Sequence, residues 1–154
     1  MSEFTTNLGT ALGFIAGEGS FSITKTKTSD DRRYVGFRFT LQVHERDRDI
    51  VEEMRDFFDV GNVRTQSRGD HNHVAWDIYS KDDLRKFRDT IEECDCKMWK
   101  VSEKYENYQV WSEALDIHLD GQTTADQQIE IAEIAKELNK DFGGGWDEFI
   151  EEKS

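Results

Sequence analysis

The sequence predicts an α+β fold in the order helix, two strands, helix, two strands, helix, followed by extra C-terminal helices. Three observations carry this. Residues 20–43 and 61–79 alternate apolar and polar side chains with the period of two that a half-buried strand requires. Each stretch is interrupted by a polar turn, so each reads as a hairpin. The segments before, between and after them repeat apolar residues at helical spacing.

The first helix is expected over residues 4–17, with Phe4, Leu8, Leu12 and Ile15 as its apolar stripe. A strand over 20–28 points Phe21 and Ile23 inward and Ser22, Thr24, Thr26 and Thr28 outward. After the Ser29-Asp30-Asp31 turn its partner runs over 33–44, with Phe37, Phe39, Leu41 and Val43 on one side and Arg38, Thr40, Gln42 and His44 on the other. Residues 47–59 form a helix through Ile50, Val51, Met54, Phe57 and Phe58. Gly61 opens the second hairpin, in which Val63 faces inward and Arg64, Gln66 and Arg68 face outward. Past the Gly69-Asp70 turn, Val74, Trp76 and Ile78 return to the core. Further helices are expected over 81–93, over 99–119 as one long element, and from a Thr124 or Asp126 cap through Leu138. Gly143-Gly144-Gly145 ends that helix, and Trp146, Phe149 and Ile150 dock the tail.

The chain has 154 residues, enough for one domain, residues 1–154, with a substantial core. No apolar run is long enough to span a membrane and no signal-peptide pattern is present, which predicts a soluble, cytoplasmic protein. Cys94 and Cys96 are separated by one residue, which predicts two reduced thiols. His71 and His73 read as hairpin-tip residues. The net charge is −13, yet its distribution matters more than its sum. The two strand-rich stretches hold seven bases against four acids, whereas residues 81–154 hold twenty acids against ten bases. The basic residues thus gather on the sheet, and the acidic excess suggests a halophilic host.

Gly9, Gly13 and Gly17 are spaced four apart and share one helical face. Each costs about 1 kcal/mol inside a helix, so three on one face need a reason. A face without side chains lets two helices approach closely, and that predicts a dimer seam of Gly9, Leu12, Gly13, Ala16 and Gly17. Glu18 then lies at the floor of the seam, where a two-fold partner brings a second Glu18 nearby.

The run Ala11-Leu12-Gly13-Phe14-Ile15-Ala16-Gly17-Glu18-Gly19 resembles the signature of the LAGLIDADG homing endonucleases. Gly13 matches the motif's first glycine, Gly17 its small residue, Glu18 its acid and Gly19 its last glycine. Ala16 departs from it, standing where the first aspartate usually is. The αββαββα order is that of a single LAGLIDADG unit, so the resemblance covers about residues 8–140. It implies a saddle-shaped antiparallel sheet lying in the DNA major groove. It also implies a homodimer, because only one copy of the motif is present.

The resemblance implies a homodimeric endonuclease cutting a long, nearly palindromic double-stranded DNA site with Mg²⁺ or Mn²⁺. Phosphodiester hydrolysis needs a cation to neutralise charge on the phosphate and activate water, and hard cations favour oxygen donors. Glu18 is the expected metal ligand, with the Gly17 carbonyl as a second by analogy. The family often adds a lysine near the start of the late helix; Lys100 is the first choice, Lys97 the second, and Lys104 lies close by. Glu45, beside His44, falls where the family holds a polar residue that positions water. The DNA-facing set is Ser22, Thr24, Thr26, Thr28, Arg38, Thr40, Gln42, Arg64, Gln66 and Arg68, which can read base edges or meet phosphates. Two alternatives remain open. One is a catalytically inactive relative, such as a maturase that binds intron RNA, or a regulator. The other is an acidic protein-interaction domain. Whether the gene sits in an intron is likewise open.

Overall fold

The structure is a computed structural model that describes residues 6–27, 33–120, 124–138 and 145–154, apart from the side chains of Thr26, Lys27, Arg33 and Arg68. Its elements run α1 (Leu8–Glu18), β1 (Gly19–Lys27), β2 (Arg33–His44), α2 (Arg48–Phe58), β3 (Asn62–Arg68), β4 (His71–Ile78), α3 (Lys81–Glu92), α4 (Lys97–Lys100), α5 (Glu103–Leu119), α6 (Ala125–Leu138) and α7 (Trp146–Lys153). A short 3-10 turn, Glu45–Asp47, joins β2 to α2. This is the expected α+β order with extra C-terminal helices. Phe4, Thr28, the Ser29–Asp31 turn, Gly143 and Gly144 lie outside the described residues.

Local chemistry sets the boundaries. The Asn7 side chain accepts a hydrogen bond from the Thr10 backbone N–H at 2.9 Å and starts α1. Ser80 caps α3 in the same way through the N–H of Asp83. At α6 the Thr124 hydroxyl accepts from the N–H of Gln127, while the Gln127 side chain accepts from the N–H of Thr124, forming a reciprocal capping box. The single long helix expected over 99–119 is divided instead. Ser102 accepts from the N–H of Tyr105 and donates its hydroxyl to the Trp99 carbonyl, so it closes α4 and opens α5.

The strands bond in the order β1-β2-β4-β3. β4 is antiparallel to both β2 and β3, with Thr40 opposite Asp77, Gln42 opposite Ala75 and His44 opposite His73. On its other side Asn62, Arg64, Gln66 and Arg68 face Asp77, Ala75, His73 and His71.

By packing, the chain divides into two compact units. The first comprises residues up to Ser20 and Phe39–Tyr105. Its centre is an aromatic cluster in which Phe39, Phe58, Trp76 and Phe87 meet at centroid distances of 4.7–5.7 Å, backed by Leu12, Ile15, Leu41 and Leu84. Burying each such side chain contributes about 1.5–3 kcal/mol. Trp76 also donates its indole N–H to the Val60 carbonyl at 2.9 Å, which satisfies its polar atom inside the core. Gly61 follows with φ +84°, and a Cβ there would lie 2.6 Å from the Asp77 carbonyl oxygen. Gly61→Ala is therefore expected to cost roughly 3 kcal/mol and lower the melting temperature by about 6–12 °C, measurable by calorimetry.

The second unit comprises Phe21–Arg38 and Glu106–Ser154. Phe21 meets Trp111 at a tilt, 5.0 Å between centroids, and Tyr108 edge-on at 5.4 Å, and Phe37 packs edge-on to Trp111 at 6.1 Å. The Trp111 indole N–H donates to the Ser22 carbonyl at 3.0 Å, tying α5 to β1. α6 and α7 pack together, with Ile131, Ala135 and Phe149 fully buried, and Lys136 meets Asp147 at 2.6 Å. The hydrogen bond that Lys136 donates to that carboxylate raises the lysine's pKa above its ordinary value, although both groups are exposed and the pair adds little stability.

The expectation of two reduced thiols is corrected. Cys94 and Cys96 form a disulfide, their Cα atoms 5.5 Å apart, within the span a disulfide bridges. The turn between α3 and α4 brings them together, a fold that the one-residue separation does not reveal. No helix among the described residues is long and apolar enough to cross a membrane.

Candidate functional site

The candidate site in the first unit begins at the C-terminal end of α1. Gly17 and Glu18 are exposed, and Gly19, the next residue, is buried. Gly19 donates its N–H to the Ile15 carbonyl and turns the chain from helix into β1. A Cβ at Gly19 would stand 2.9 Å from the Ile15 carbonyl and side chain and from the Phe39 ring, so close approach alone requires glycine there. This places the Glu18 carboxylate at the negative end of a helix dipole, and no basic residue lies in the last turn of α1.

Positive charge reaches this helix end from elsewhere. Lys104, at the start of α5, donates its ammonium to the Gly19 carbonyl. Of the lysines near the late helix, this one meets the motif. Lys100 instead pairs with exposed Asp95 at 3.2 Å, and Lys97 is exposed on α4. Glu45 is exposed in the 3-10 turn and accepts from the Asn72 side chain at 3.2 Å. Sequence reasoning ranked Lys100 first because spacing along a helix does not say which lysine turns back toward β1.

The face of α1 predicted as a seam is partly open. A Cβ added at Gly13 or Gly17 would meet nothing within 4 Å, and Ala16 is half-buried. Gly9 has another neighbour, since its Cβ would come 3.4 Å from the Cys96 sulfur. Leu12 departs from the predicted seam: it is fully buried in the core of its own unit, because it shares the Ala11–Ile15 side of the helix. A cavity of about 310 Å³ lies beside α1 and α2 and is lined by Ala11, Phe14, Ile50 and Met54 among others.

The predicted nucleic-acid residues divide between the units. In the second, Ser22 is half-buried and its hydroxyl donates weakly to the Arg38 carbonyl at 3.4 Å. Thr24 and Arg38 are exposed. The side chains of Thr26 and Arg68 lie outside the described residues. In the first unit, the register of β2, β4 and β3 puts Thr40, Gln42, Arg64 and Gln66 on one polar face. Gln66 holds a buried side-chain oxygen with no hydrogen-bond partner among the described residues. Three residues on this face were missed as candidates. Asp77 is 2% exposed and accepts from Thr40 at 2.8 Å and from Arg64. His44 and His73 stand with His71 in a cluster whose ring centroids are 5.0–6.3 Å apart. The outward alternation of β4 carried the signal for Asp77, but an acid on a surface expected to be basic is easily set aside.

Among the described residues no three His, Cys, Asp or Glu side chains form a group able to hold a metal. What α1 offers is one exposed carboxylate at its C-terminal end, and its hard oxygens suit a Mg²⁺-like cation that would take its remaining ligands from elsewhere.

The family model for LAGLIDADG endonucleases matches residues 11–115. No curated protein matches the chain. Among solved structures, the chain is similar to a homing endonuclease, I-TnaI, at 23% identity, over 98% of this chain and 100% of that one, with a TM-score of 0.82. It is similar at 17% identity to the archaeal intron-encoded homing endonuclease I-Vdi141I complexed with DNA, over 94% and 92% of the two chains, TM-score 0.77. It is also similar at 25% identity to the LAGLIDADG meganuclease I-AabMI bound to uncleaved DNA, covering 88% of this chain but 45% of that one, TM-score 0.71. The fold is that of the LAGLIDADG homing endonucleases.

Proposed function

The chain belongs to the LAGLIDADG endonuclease family, and from that premise we propose that it is a homodimeric, site-specific DNA endonuclease dependent on Mg²⁺ or Mn²⁺. The carrying observation is Glu18, exposed at the end of a helix whose neighbouring Gly13 and Gly17 leave open space. One chain supplies one such carboxylate, whereas cutting both strands of a duplex takes two. A two-fold axis along the glycine face supplies the second. The length relation supports this reading, because the chain spans 45% of I-AabMI.

In this reading Glu18, with the Gly17 carbonyl, holds the cation. The chemistry a bound divalent ion supplies is charge neutralisation at the phosphate and activation of water. Lys104 is the basic residue of the site in place of Lys100 or Lys97. Its ammonium, held at the Gly19 carbonyl, offsets the helix-end charge and sits one residue beyond Glu18. The polar face of β2, β3 and β4 contacts the duplex, with Thr40, Gln42, Arg64 and Gln66 as readers. The acidic C-terminal helices remain in solvent.

The test is cleavage of a randomised duplex library with Mg²⁺, with and without EDTA. Cutting that chelation abolishes supports the reading. Binding without cutting under every divalent metal would assign the chain to the non-catalytic members. A comparison of lysines sharpens it: Lys104→Ala is expected to lower the single-turnover cleavage rate about 10²-fold, and Lys100→Ala by less than about threefold. Equal effects of the two would remove Lys104 from the site.

A further inference from the structure

A buried acid is out of place on a surface that meets DNA. Asp77 lies on β4, 2% exposed, on the same face as Thr40 and Arg64. An ionised carboxylate taken out of water is costly unless its oxygens are satisfied. Here they are: Oδ1 accepts from the Thr40 hydroxyl at 2.8 Å, directly across the β2–β4 ladder, and Oδ2 accepts from Nε of Arg64. Arg64 stands opposite Ala75, and Asp77 is the diagonal neighbour two residues on. The small, fully buried Ala75 leaves the guanidinium room to lie along β4 toward the acid.

The consequence concerns the rest of the guanidinium. Arginine carries five N–H donors in a rigid planar fork. With Nε committed to Asp77, the two terminal nitrogens remain, and the side chain is still 42% exposed. An arginine anchored at Nε cannot swing between phosphates and bases as a flexible one does. Its outer edge is a fixed pair of donors, matched to the O6 and N7 acceptors of guanine in the major groove.

We propose that Asp77 is a specificity-positioning residue, which locks Arg64 so that its outer edge reads a guanine at one defined position of each DNA half-site. Thr40 completes the lock by fixing the other carboxylate oxygen. The inference rests on the reading of the chain as a DNA-binding endonuclease and deepens it.

The experiment is a site-preference profile. The full-length protein is incubated with a randomised duplex library, bound DNA is sequenced, and all four bases are then compared at every position of the recovered site. Wild type is expected to favour guanine roughly ten- to a hundredfold at one symmetry-related pair of positions. Arg64→Lys keeps the charge and loses the fork, so it is expected to lose that preference alone while the salt dependence of binding stays unchanged. Asp77→Asn is expected to reduce the same preference at least fivefold and leave the other positions alone. Thr40→Val, which removes one anchor at a half-buried position, gives the same direction of change should Asp77→Asn fail to fold. A recovered site whose profile Arg64→Lys leaves untouched overturns this proposal and leaves the DNA reading standing. A guanine preference lost in Arg64→Lys but intact in both Asp77→Asn and Thr40→Val overturns the role of Asp77. A wild type that enriches no sequence overturns the DNA reading, and this proposal with it.

Discussion

Glu18→Gln is expected to bind its DNA site and leave it uncut. The substitution preserves the shape of the side chain at an exposed position, so folding and groove contacts are undisturbed. It removes the one acidic group at the end of α1 and with it the charge that holds a divalent ion. Metal assistance to phosphoryl chemistry is worth several kcal/mol, so the loss in cleavage rate is on the order of 10³-fold or more. The measurement is single-turnover cleavage of the recovered site beside a gel-shift titration. Retained binding with lost cutting places Glu18 in the chemistry. Cutting within about tenfold of wild type would remove it from that role.

Gly13→Leu separates the seam from the fold by the sign of its effects. A Cβ at Gly13 meets nothing within 4 Å in the single chain, and leucine is a better helix former than glycine by about 0.8 kcal/mol. The isolated chain is therefore expected to be at least as stable as wild type in a denaturant titration. On the proposed two-fold axis the same side chain would strike its symmetry mate. Sedimentation should then report a mass near the 18.0 kDa of one chain, and double-strand cleavage should vanish. A variant that remains dimeric would move the interface away from this face of α1. Gly9→Ala is a useful contrast, because its Cβ would meet Cys96 within its own unit.

Much of the architecture was legible in one dimension. Period-two alternation marked all four strands, β2 to its ends at Arg33 and His44, because a strand with one face in a core writes that face into every second residue. The helix cap expected at Thr124 or Asp126, which falls on Thr124, the Gly61 opening and the Gly69 turn are local devices that act within a few residues. The motif around Glu18 was equally readable, since a glycine-rich helix running into a strand violates propensity in a way that demands an explanation. Ser102 was not read as a break, because hydrophobic spacing continues across it and only its hydroxyl bonds divide α4 from α5.

The composition of the site required the third dimension. Lys104 and Gly19 are 85 residues apart, and nothing in either neighbourhood selects Lys104 over Lys100 or Lys97. Asp77 and Thr40 are 37 residues apart, and a strand pattern reports which face a residue occupies without reporting what lies across the ladder. Gly9 and Cys96 meet only because α4 packs on α1. The sequence by itself determined the order of the elements, the family and the acidic residue at the helix end, because these follow from periodicity, capping and a contiguous motif. The tertiary structure decided which lysine meets that helix end, which glycines stay open and which acid anchors Arg64. Those are pairings between distant segments, and they exist only once packing has fixed the relative positions of the backbones.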